Sequence, residues 1–303
     1  MADIVVIGSL NADLVVRSPR FPAPGETIQG EDLATIPGGK GANQAVAAAR
    51  LGADVAMIGC VGADGFGTML IENLNQNKVD ARHVFRDGSA ATGTAIIVVD
   101  SDGQNSIVIS PGANGRIAAT DIEPAALTGA RLLLLQLEIP LDTVAHAARL
   151  ARQQGIKVLL NPAPARELPD ELLQCVDYLI PNETELAMLT GARSGERSSL
   201  EKAAHSLLRR GARNVVVTLG ENGALMSTRL GRKYIPSYKV RPVDTTAAGD
   251  AFIGGLAYAL LHRKPLKDAV KYGCACGALA TTRFGAQPSL PTADEVKLFL
   301  RSA

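Results

Sequence analysis

Short apolar runs alternate with longer amphipathic segments along most of the chain, and this alternation predicts an α/β fold. The run at 132–135 consists of leucine alone, and the run at 215–217 of valine alone. Strands that are apolar at every position are typical of a parallel sheet covered by helices on both faces. The pattern therefore predicts a three-layer sandwich around a central, mostly parallel sheet. Its predicted strands lie at 4–7, 55–58, 132–137, 156–160, 177–180 and 214–218, and its helices at 66–77, 141–154, 169–175, 183–190, 198–210, 265–280 and 292–301, with further helices before Gly52 and after Gly249.

Two stretches depart from this alternation. Residues 17–36 are rich in proline and glycine, and we expect one strand there, at 26–29. Residues 92–99 and 106–110 are β-prone and flank an Asp-Ser-Asp-Gly turn, which is the pattern of a β-hairpin. We therefore predict a single α/β domain over 1–303, with a small β-sheet from about 12–36 and 91–113 inserted in it.

Composition changes this picture little but excludes several partners. The chain has 303 residues, 47% of them hydrophobic, with 31 Lys plus Arg against 30 Asp plus Glu. The resulting net charge of +1 gives no reason to expect a nucleic-acid partner or a membrane surface. The chain enters its first strand without a signal-peptide pattern, and its cysteines have neither disulfide nor zinc spacing. We therefore expect a cytoplasmic protein with reduced thiols.

The segment Val243–Phe252 (VDTTAAGDAF) is the strongest candidate for the chemistry. The small residues Ala247, Ala248 and Gly249 leave the first amides of the following helix uncovered, and such amides bind anions such as phosphate. Asp250 places one carboxylate beside them, an arrangement suited to moving a phosphoryl group onto a hydroxyl. An ordinary capped helix, whose Asp offsets the dipole, explains this segment equally well.

Asn11 and Asp13 follow the first strand and also allow two interpretations. If the chain stays extended, both side chains point to one face and could bind substrate hydroxyls. Asn and Asp are also typical of turns, and locally the turn is favoured. A dinucleotide fingerprint would require three spaced glycines here, and only Gly8 is present, which argues against a nicotinamide oxidoreductase.

A glycine-rich loop at 38–41 precedes the first alanine-rich helix. Its glycines would let a ligand approach the backbone closely, although a plain strand-to-helix turn is the alternative. The loop is not a Walker phosphate loop, because Lys40 is followed by Gly41 and not by Ser or Thr. Further along, Asn182 and Glu185 have the spacing of a helix capping box, and 218–223 turns the chain at a strand end.

Together the glycine loop and the late Asp-containing segment resemble the paired signatures of the ribokinase/PfkB family of carbohydrate kinases. The pair is far more specific than either motif alone. The resemblance covers essentially the whole chain and rests on 9–13, 38–45, 136–138, 161–169, 181–185, 244–252 and 285–289.

This resemblance implies an ATP-dependent kinase that phosphorylates the 5-hydroxyl of ribose. Asp250 would be the general base, and Ala247, Ala248 and Gly249 would donate amides to the transferred phosphoryl group. At a helix N-terminus we expect Asp250 to be ionised and thus a weak base, which is acceptable where positioning supplies most of the rate. The sugar would be bound by Asn11, Asp13, Gly39, Lys40, Asn43, Glu138 and Asp250.

The resemblance also implies sites for ATP, Mg²⁺ and a monovalent cation, usually K⁺. Asn182 and Glu185 would serve the ATP phosphates and the magnesium shell. Cys274 and Phe284 depart from residues common in the family. Both can still pack on adenine, so we expect base binding to be kept, and the fine nucleotide preference stays open. The remaining nucleotide residues would be Thr218, Gly220, Gly223 and Gly249, and the K⁺ ligands Asp244, Thr246, Ala280, Arg283, Gly285 and Ser289, several through backbone carbonyls.

The small β-sheet would form a lid over the sugar, and two lids would join in a homodimer. Two alternatives remain open at this point. One is the same reaction on deoxyribose or a nucleoside, and the other is a non-catalytic sensor of sugar or nucleotide on the same fold.

Overall fold

The computed structural model describes residues 2–192 and 196–302. Its larger sheet is parallel except for a hairpin at one end, and helices pack on both faces. The strands of this sheet are β1 (Ile4–Ile7), β4 (Val55–Gly62), β5 (Val79–Asp87), β8 (Leu132–Leu135), β9 (Lys157–Leu160), β10 (Tyr178–Leu179), β11 (Asn214–Thr218), β12 (Ala224–Thr228) and β13 (Gly231–Ile235), in the order β13-β12-β11-β10-β9-β8-β1-β4-β5.

The helices form the two outer layers. On one side of the sheet lie α1 (Lys40–Arg50), α2 (Gly65–Gln76), α7 (Ala248–Leu261), α8 (Leu266–Ala280) and α10 (Ala293–Ser302), and on the other α3 (Leu141–Gln153), α4 (Asp170–Leu173), α5 (Glu183–Thr190) and α6 (Arg197–Arg209). A short helix, α9 (Ala286–Ser289), precedes α10. The predicted three-layer α/β architecture is confirmed.

The strand β1 illustrates why the sheet must be covered on both faces. Ile4 and Val6 pack into the core beneath α1 and α7, whereas Val5 and Ile7 pack into the core beneath α3. All four side chains are buried, as the alternation of side chains in a strand requires when each face carries a helix layer.

A second, smaller sheet stands apart from the first. It consists of β2 (Asn11–Arg17), β3 (Ala34–Gly38), β6 (Gly93–Val99) and β7 (Asn105–Ser110), in the order β3-β2-β6-β7. The hairpin predicted at 92–99 and 106–110 is confirmed as the antiparallel pair β6 and β7. The small sheet itself was therefore predicted correctly from the sequence.

Two local predictions were wrong, and three strands of the larger sheet were missed. The strand expected at 26–29 is absent from the described residues, and the strand of that region is β3, which pairs with β2. The turn favoured for Asn11 and Asp13 is also wrong, because both lie in β2 and pair with β3 and β6. The missed strands are β5, β12 and β13. β5 and β13 carry several exposed charged residues, and the short β12 mixes apolar and polar residues.

The topology gathers the polar loop residues at one edge. The strands β1, β8, β9, β10 and β11 are parallel, so the segments that follow their carboxyl ends all leave the sheet on the same side. Ligands of open α/β sheets bind at this edge. The loops that carry Ser9, Glu138, Asn161, Asn182 and the turn after Thr218 all meet there.

Candidate active site

Asp250 lies in the first turn of α7, where α7 packs against α1. The two helices approach closely because Gly254 faces Ala47, and a Cβ at Gly254 would overlap the Ala47 side chain. Asn43 Nδ2 donates to Asp250 Oδ2 at 2.9 Å, and Gln44 Nε2 donates to Asp250 Oδ1 at 2.9 Å. The two sequence motifs that lie about two hundred residues apart are thus joined through one carboxylate.

The Asp250 carboxylate is almost dehydrated, with only 6% of the residue exposed. Burial is the largest influence and raises its pKa, which Lys40 and the amides of Asn43 and Gln44 oppose and Glu138 reinforces. From the sequence we expected a pKa low enough to make Asp250 a weak base, because only the helix dipole could be taken into account. Burial could not be foreseen from the sequence. A raised pKa makes Asp250 a better proton acceptor near neutral pH.

The amides at the start of α7 are only partly used by the fold. Ala247 caps the helix in the left-handed conformation, at φ 58°. The amide of Ala248 donates to Thr245 O at 3.2 Å, whereas those of Ala247 and Gly249 have no acceptor within the described part of the chain. Free amides beside a carboxylate are suited to an anion, and anion binding by the segment Val243–Phe252 stays a prediction.

Asn11 and Asp13 point to one face of β2 and are both buried. Asn11 Oδ1 accepts from Asn114 Nδ2 at 2.8 Å, and Asn114 also bonds the backbone of Leu10 through both its side-chain atoms. Asp13 lies against Gly38 of β3, so close that a Cβ there would overlap the carboxylate. Both side chains are therefore held in fixed orientations.

Glu138 and Lys40 bring opposite charges to the same place. Glu138 Oε2 accepts from Ser9 Oγ at 2.5 Å and from the backbone amide of Lys40 at 3.1 Å. Burial lowers the pKa of Lys40, but Asp250, Glu138 and two further carboxylates outweigh burial and leave the pKa raised. Lys40 is thus a protonated cation among carboxylates.

The same carboxylates affect Asp13. Burial chiefly, then Glu138 and Asp250, raise the pKa of Asp13 to about 7, and Lys40 partly opposes the shift. A cluster of acids whose pKa values are raised around one ammonium group is a strong indicator of a functional site.

Two cavities adjoin this cluster. One of about 340 Å³ has a mostly apolar wall, into which Asn11, Asn114, Glu138 and Arg166 bring polar or charged groups. The other, of about 220 Å³, contains Lys40 and Asp250 beside the start of α7. A larger cavity of about 970 Å³ lies by β12 and β13 at the opposite edge of the sheet, and none of the predicted site residues lines it.

The smaller cavity also receives residues predicted to bind ATP. Asn182, Glu185 and Thr218 line it. The capping box is present, with Asn182 N donating to Glu185 Oε2 and Glu185 N donating to Asn182 Oδ1, each at 2.8 Å. Asn182 forms a parallel β-bridge with Thr218, which fixes the two loops relative to each other. Burial raises the pKa of Glu185.

The other predicted nucleotide residues lie outside this cavity. Gly220 and Gly223 form the turn after β11 at φ 55° and 90°, and a Cβ at Gly223 would overlap Ile235 O. Cys274 is 4% exposed and lies in the core with α7 and α8. Phe284 lies beneath the guanidinium of Arg17, which is 4.8 Å from the ring centre. The structure does not bring these residues into the cavity with Asp250.

Part of the predicted K⁺ set is assembled around Asp244. Asp244 Oδ1 accepts from Thr246 N and Oγ1 at 2.9 and 2.6 Å, and Oδ2 accepts from Gly285 N at 2.8 Å. The side chain of Arg283 pairs with Glu295, which leaves only its backbone carbonyl for a cation. Ser289 is buried and donates to Ala286 O, and Ala280 O accepts from Arg283 N at 3.3 Å.

Several residues at the site had no role in the sequence-based assignment. Their side chains are fixed by long-range hydrogen bonds, which no local sequence pattern reveals. Four of these five residues lie inside the motifs that carry the family resemblance. They are Ser9, Gln44, Asn114, Gln136 and Asn161.

Comparison with known proteins identifies the family. The family model "pfkB family carbohydrate kinase" matches residues 1–293. The chain belongs to this family. The ribokinase of Haemophilus influenzae is 43% identical over 302 residues, which are 99% of each protein, and the deoxyribokinase of Salmonella typhi is 40% identical over 98% of each.

A solved family structure has the same fold. The Arabidopsis thaliana ribokinase, determined with ribose and ATP, aligns with a TM-score of 0.92 at 32% identity and covers 99% of each chain. Membership of the pfkB family makes this chain a kinase enzyme. In the residues that the structure describes, no helix has the length and apolar character to cross a membrane.

Proposed function

We propose that this pfkB family member transfers the γ-phosphoryl group of ATP to the 5-hydroxyl of D-ribose, giving D-ribose 5-phosphate and ADP. The observation that carries the proposal is the buried Asp250 carboxylate, which lies between free helix amides and a cluster of buried polar and charged groups. The Haemophilus relative, named a ribokinase, and the Arabidopsis relative, which binds ribose and ATP, support ribose as the acceptor.

Asp250 would accept the proton of the 5-hydroxyl while that oxygen attacks phosphorus. Positioning and electrostatics supply most of the rate in phosphoryl transfer, so the base chiefly orients the hydroxyl. The amides of Gly249 and Ala247 would stabilise charge on the transferred group, with Ala248 contributing as its weak bond to Thr245 opens. Lys40 would place a cation beside the same group.

The sugar would occupy the cavity bounded by Asn11 and Glu138. Asp13 and Asn43 add acceptors and donors for its hydroxyls, and Gly39 lets the backbone of the loop approach the sugar. Buried polar groups of fixed orientation recognise a polyol strictly, because a missing hydroxyl leaves its partner without a hydrogen bond.

ATP would bind along the smaller cavity toward the turn after β11. Thr218, Gly220 and Gly223 would line the nucleotide, and Cys274 would lie behind the base. Asn182 and Glu185 fit a magnesium shell because Mg²⁺ takes few carboxylates and keeps several waters and phosphate oxygens. When bound, Mg²⁺ neutralises phosphate charge.

A monovalent cation would lie beside the anion site. The candidates are oxygen ligands, which suit K⁺, and backbone carbonyls dominate such sites. Asp244 already connects the loop before α7 to Gly285 through hydrogen bonds. A cation bound there would stabilise the conformation of this loop at the start of α7. The ligands would be Asp244, Thr246, Ala280, Arg283, Gly285 and Ser289.

The small sheet would act as a lid over the sugar and as a dimer interface. The edge strand β7 is exposed along its whole length, and Ile107 and Val108 are 50% and 65% exposed. An exposed apolar edge strand favours pairing with another chain. A second copy of this chain would cover it. The four buried free cysteines favour a reducing compartment such as the cytoplasm.

The nearest alternative is the same transfer to deoxyribose, which the Salmonella relative's name supports. The test is an acceptor panel with purified protein, Mg-ATP, and ribose, deoxyribose or a nucleoside, each with K⁺ and with a non-activating cation of equal ionic strength. We expect the highest kcat/KM with ribose and higher rates with K⁺. A higher kcat/KM for deoxyribose or a nucleoside would replace ribose as the acceptor. Tight binding of ribose and ATP without product would indicate a sensor.

A further inference from the structure

A chain of buried side-chain amides leads from Asp250 into the protein. Gln44 Nε2 donates to Asp250 Oδ1 at 2.9 Å and to Asn161 Oδ1 at 3.3 Å, while Gln44 Oε1 accepts from Gln136 Nε2 at 2.6 Å. Gln44 and Gln136 are both fully buried, at 0% exposure. Burying two glutamine amides away from water costs free energy unless their polar atoms form hydrogen bonds within the protein.

The orientation of the Gln44 amide is fixed from two sides. Asn161 Nδ2 donates to Ile180 O at 3.0 Å, so Asn161 must present its oxygen to Gln44. Gln136 presents its nitrogen to the oxygen of Gln44. Both N–H groups of Gln44 therefore have assigned acceptors, and one of these acceptors is Asp250.

Gln136 lies close against the backbone of Gly8, which follows β1. A Cβ at Gly8 would overlap Gln136 Oε1, so only glycine leaves room for this amide. Gln136 Oε1 has no hydrogen-bond partner within the described residues. A buried amide that leaves one atom unsatisfied while it orients a neighbour is more consistent with a functional constraint than with a contribution to stability.

We propose that Gln44 is a positioning residue for the Asp250 carboxylate, and that Gln136 and Asn161 fix the orientation of its amide. The inference rests on the proposed function, in which Asp250 receives the proton of the acceptor hydroxyl. Gln44 occupies one carboxylate oxygen and sets the plane of the group. Asn43, on the same helix as Gln44, donates to the other carboxylate oxygen. From there it can also contact the acceptor sugar.

Other charged groups also face Asp250 and remain unchanged when the amides are altered. They are Lys40 on α1, Glu138 after β8, Asp13 on β2 and Glu185 on α5. An N–H donated to a carboxylate stabilises its ionised form. Removing the Gln44 amide should therefore raise the pKa of Asp250 further and move the acid limb of the pH–rate profile to higher pH.

The experiment compares Gln44→Met with the wild-type enzyme under saturating Mg-ATP. Methionine has a similar length and no amide. We expect kcat to fall about 10- to 100-fold, with KM for the sugar nearly unchanged, because the geometry of attack is lost and the sugar contacts remain. The acid limb should move up by about one pH unit. Thr143 on α3 donates to Ile117 O in a buried hydrogen bond, and Thr143→Val, which removes that bond, is the control for a purely structural loss.

The variant Gln136→Met tests the chain of amides without touching Asp250. We expect a smaller loss of kcat in the same direction, and no further loss when it is added to Gln44→Met, because Gln136 acts through Gln44. Additive losses, or an acid limb that stays in place in both single variants, would overturn the proposal.

A measurement that needs no turnover separates this inference from the proposed function. The Asp250 carboxyl can be titrated by carbon NMR in aspartate-labelled protein, with its resonance assigned by Asp250→Asn. A higher pKa in Gln44→Met than in wild type supports the positioning role even if ribose is not the acceptor. Equal pKa values together with unchanged kinetics would refute it while leaving the kinase activity intact.

Discussion

At the scale of single residues, Asp250 is the group on which the account depends. Its own segment left it undecided between a helix cap and a base, and the resemblance to the carbohydrate kinases favoured the base. Its hydrogen bonds to Asn43 and Gln44 place it in a buried polar cluster, which a capping carboxylate at the surface would not need. Such contacts join distant parts of the chain and therefore cannot be predicted from any local pattern.

Replacing the base should remove most of the activity and little of the sugar affinity. For Asp250→Ala we expect kcat to fall about 10²- to 10⁴-fold, the range for loss of a general base. Ribose binding should persist, because Asn11, Asp13 and Glu138 remain. Steady-state kinetics and calorimetric titration with ribose measure the two effects. Full turnover in the variant would remove Asp250 from the mechanism.

Asp13 should make stability depend on pH. Its pKa is raised from 3.8 to about 7 by burial, Glu138 and Asp250, so between these values the folded state binds a proton that the unfolded state has lost. The wild type should therefore lose stability relative to Asp13→Asn as pH rises from about 4 to 7, by roughly 4 kcal/mol at most. Urea unfolding of both proteins at several pH values measures the difference. A difference in stability that does not change with pH would contradict the raised pKa.

At the scale of elements, apolar runs predicted most of the larger sheet, because its strands are buried on both faces. The strand β3 was missed because it carries Pro37 and Gly38, which are typical of turns, and it is held by pairing with β2. Asn11 and Asp13 were misread for the same reason, since their strand pairing is a tertiary contact. Of the site, the sequence predicted the two motifs but not the amides that orient Asp250.

The glycine loop offers a test of how the elements meet. Gly39 has φ 88°, and a Cβ there would lie 2.7 Å from the backbone nitrogen of Asn11. Gly39→Ala should destabilise the fold by more than the roughly 1–3 kcal/mol of backbone strain alone, and it should raise KM for the sugar. Gly52, at φ 98° with open space around its Cβ position, is the matched control. Unfolding and kinetic measurements on both alanine variants separate steric overlap, expected only at Gly39, from backbone strain, expected at both positions. Equal losses of stability in the two variants would contradict the close approach of the loop to β2.

At the scale of the whole molecule, the small sheet is the part whose proposed role as a lid and dimer interface involves a second chain. The presence of the small sheet could be predicted from the sequence, whereas the surface that would cover its edge strand could not be predicted from local patterns. The exposed Ile107, Val108 and Ile109 form a surface that a second copy would cover. Ile109 also lines the cavity proposed for the sugar, so a second copy on this surface would lie beside that cavity.

A charge in that surface should separate the subunits. Val108 is 65% exposed, so Val108→Lys should not disturb the core, but it should shift a dimer to monomers and raise KM for ribose. Analytical ultracentrifugation measures the mass, with Leu230→Lys, at a fully exposed residue outside the small sheet and the proposed site, as the control. A wild-type protein that sediments as a monomer would contradict the dimer.

The most direct test of the central claim is the identity of the product. Purified protein with ribose, Mg-ATP and K⁺ should give ADP and ribose 5-phosphate in equal amounts, identified by phosphorus NMR and mass spectrometry, and Asp250→Ala should give almost none. ADP without a sugar phosphate, or a phosphate on a hydroxyl other than the 5-hydroxyl, would contradict the account.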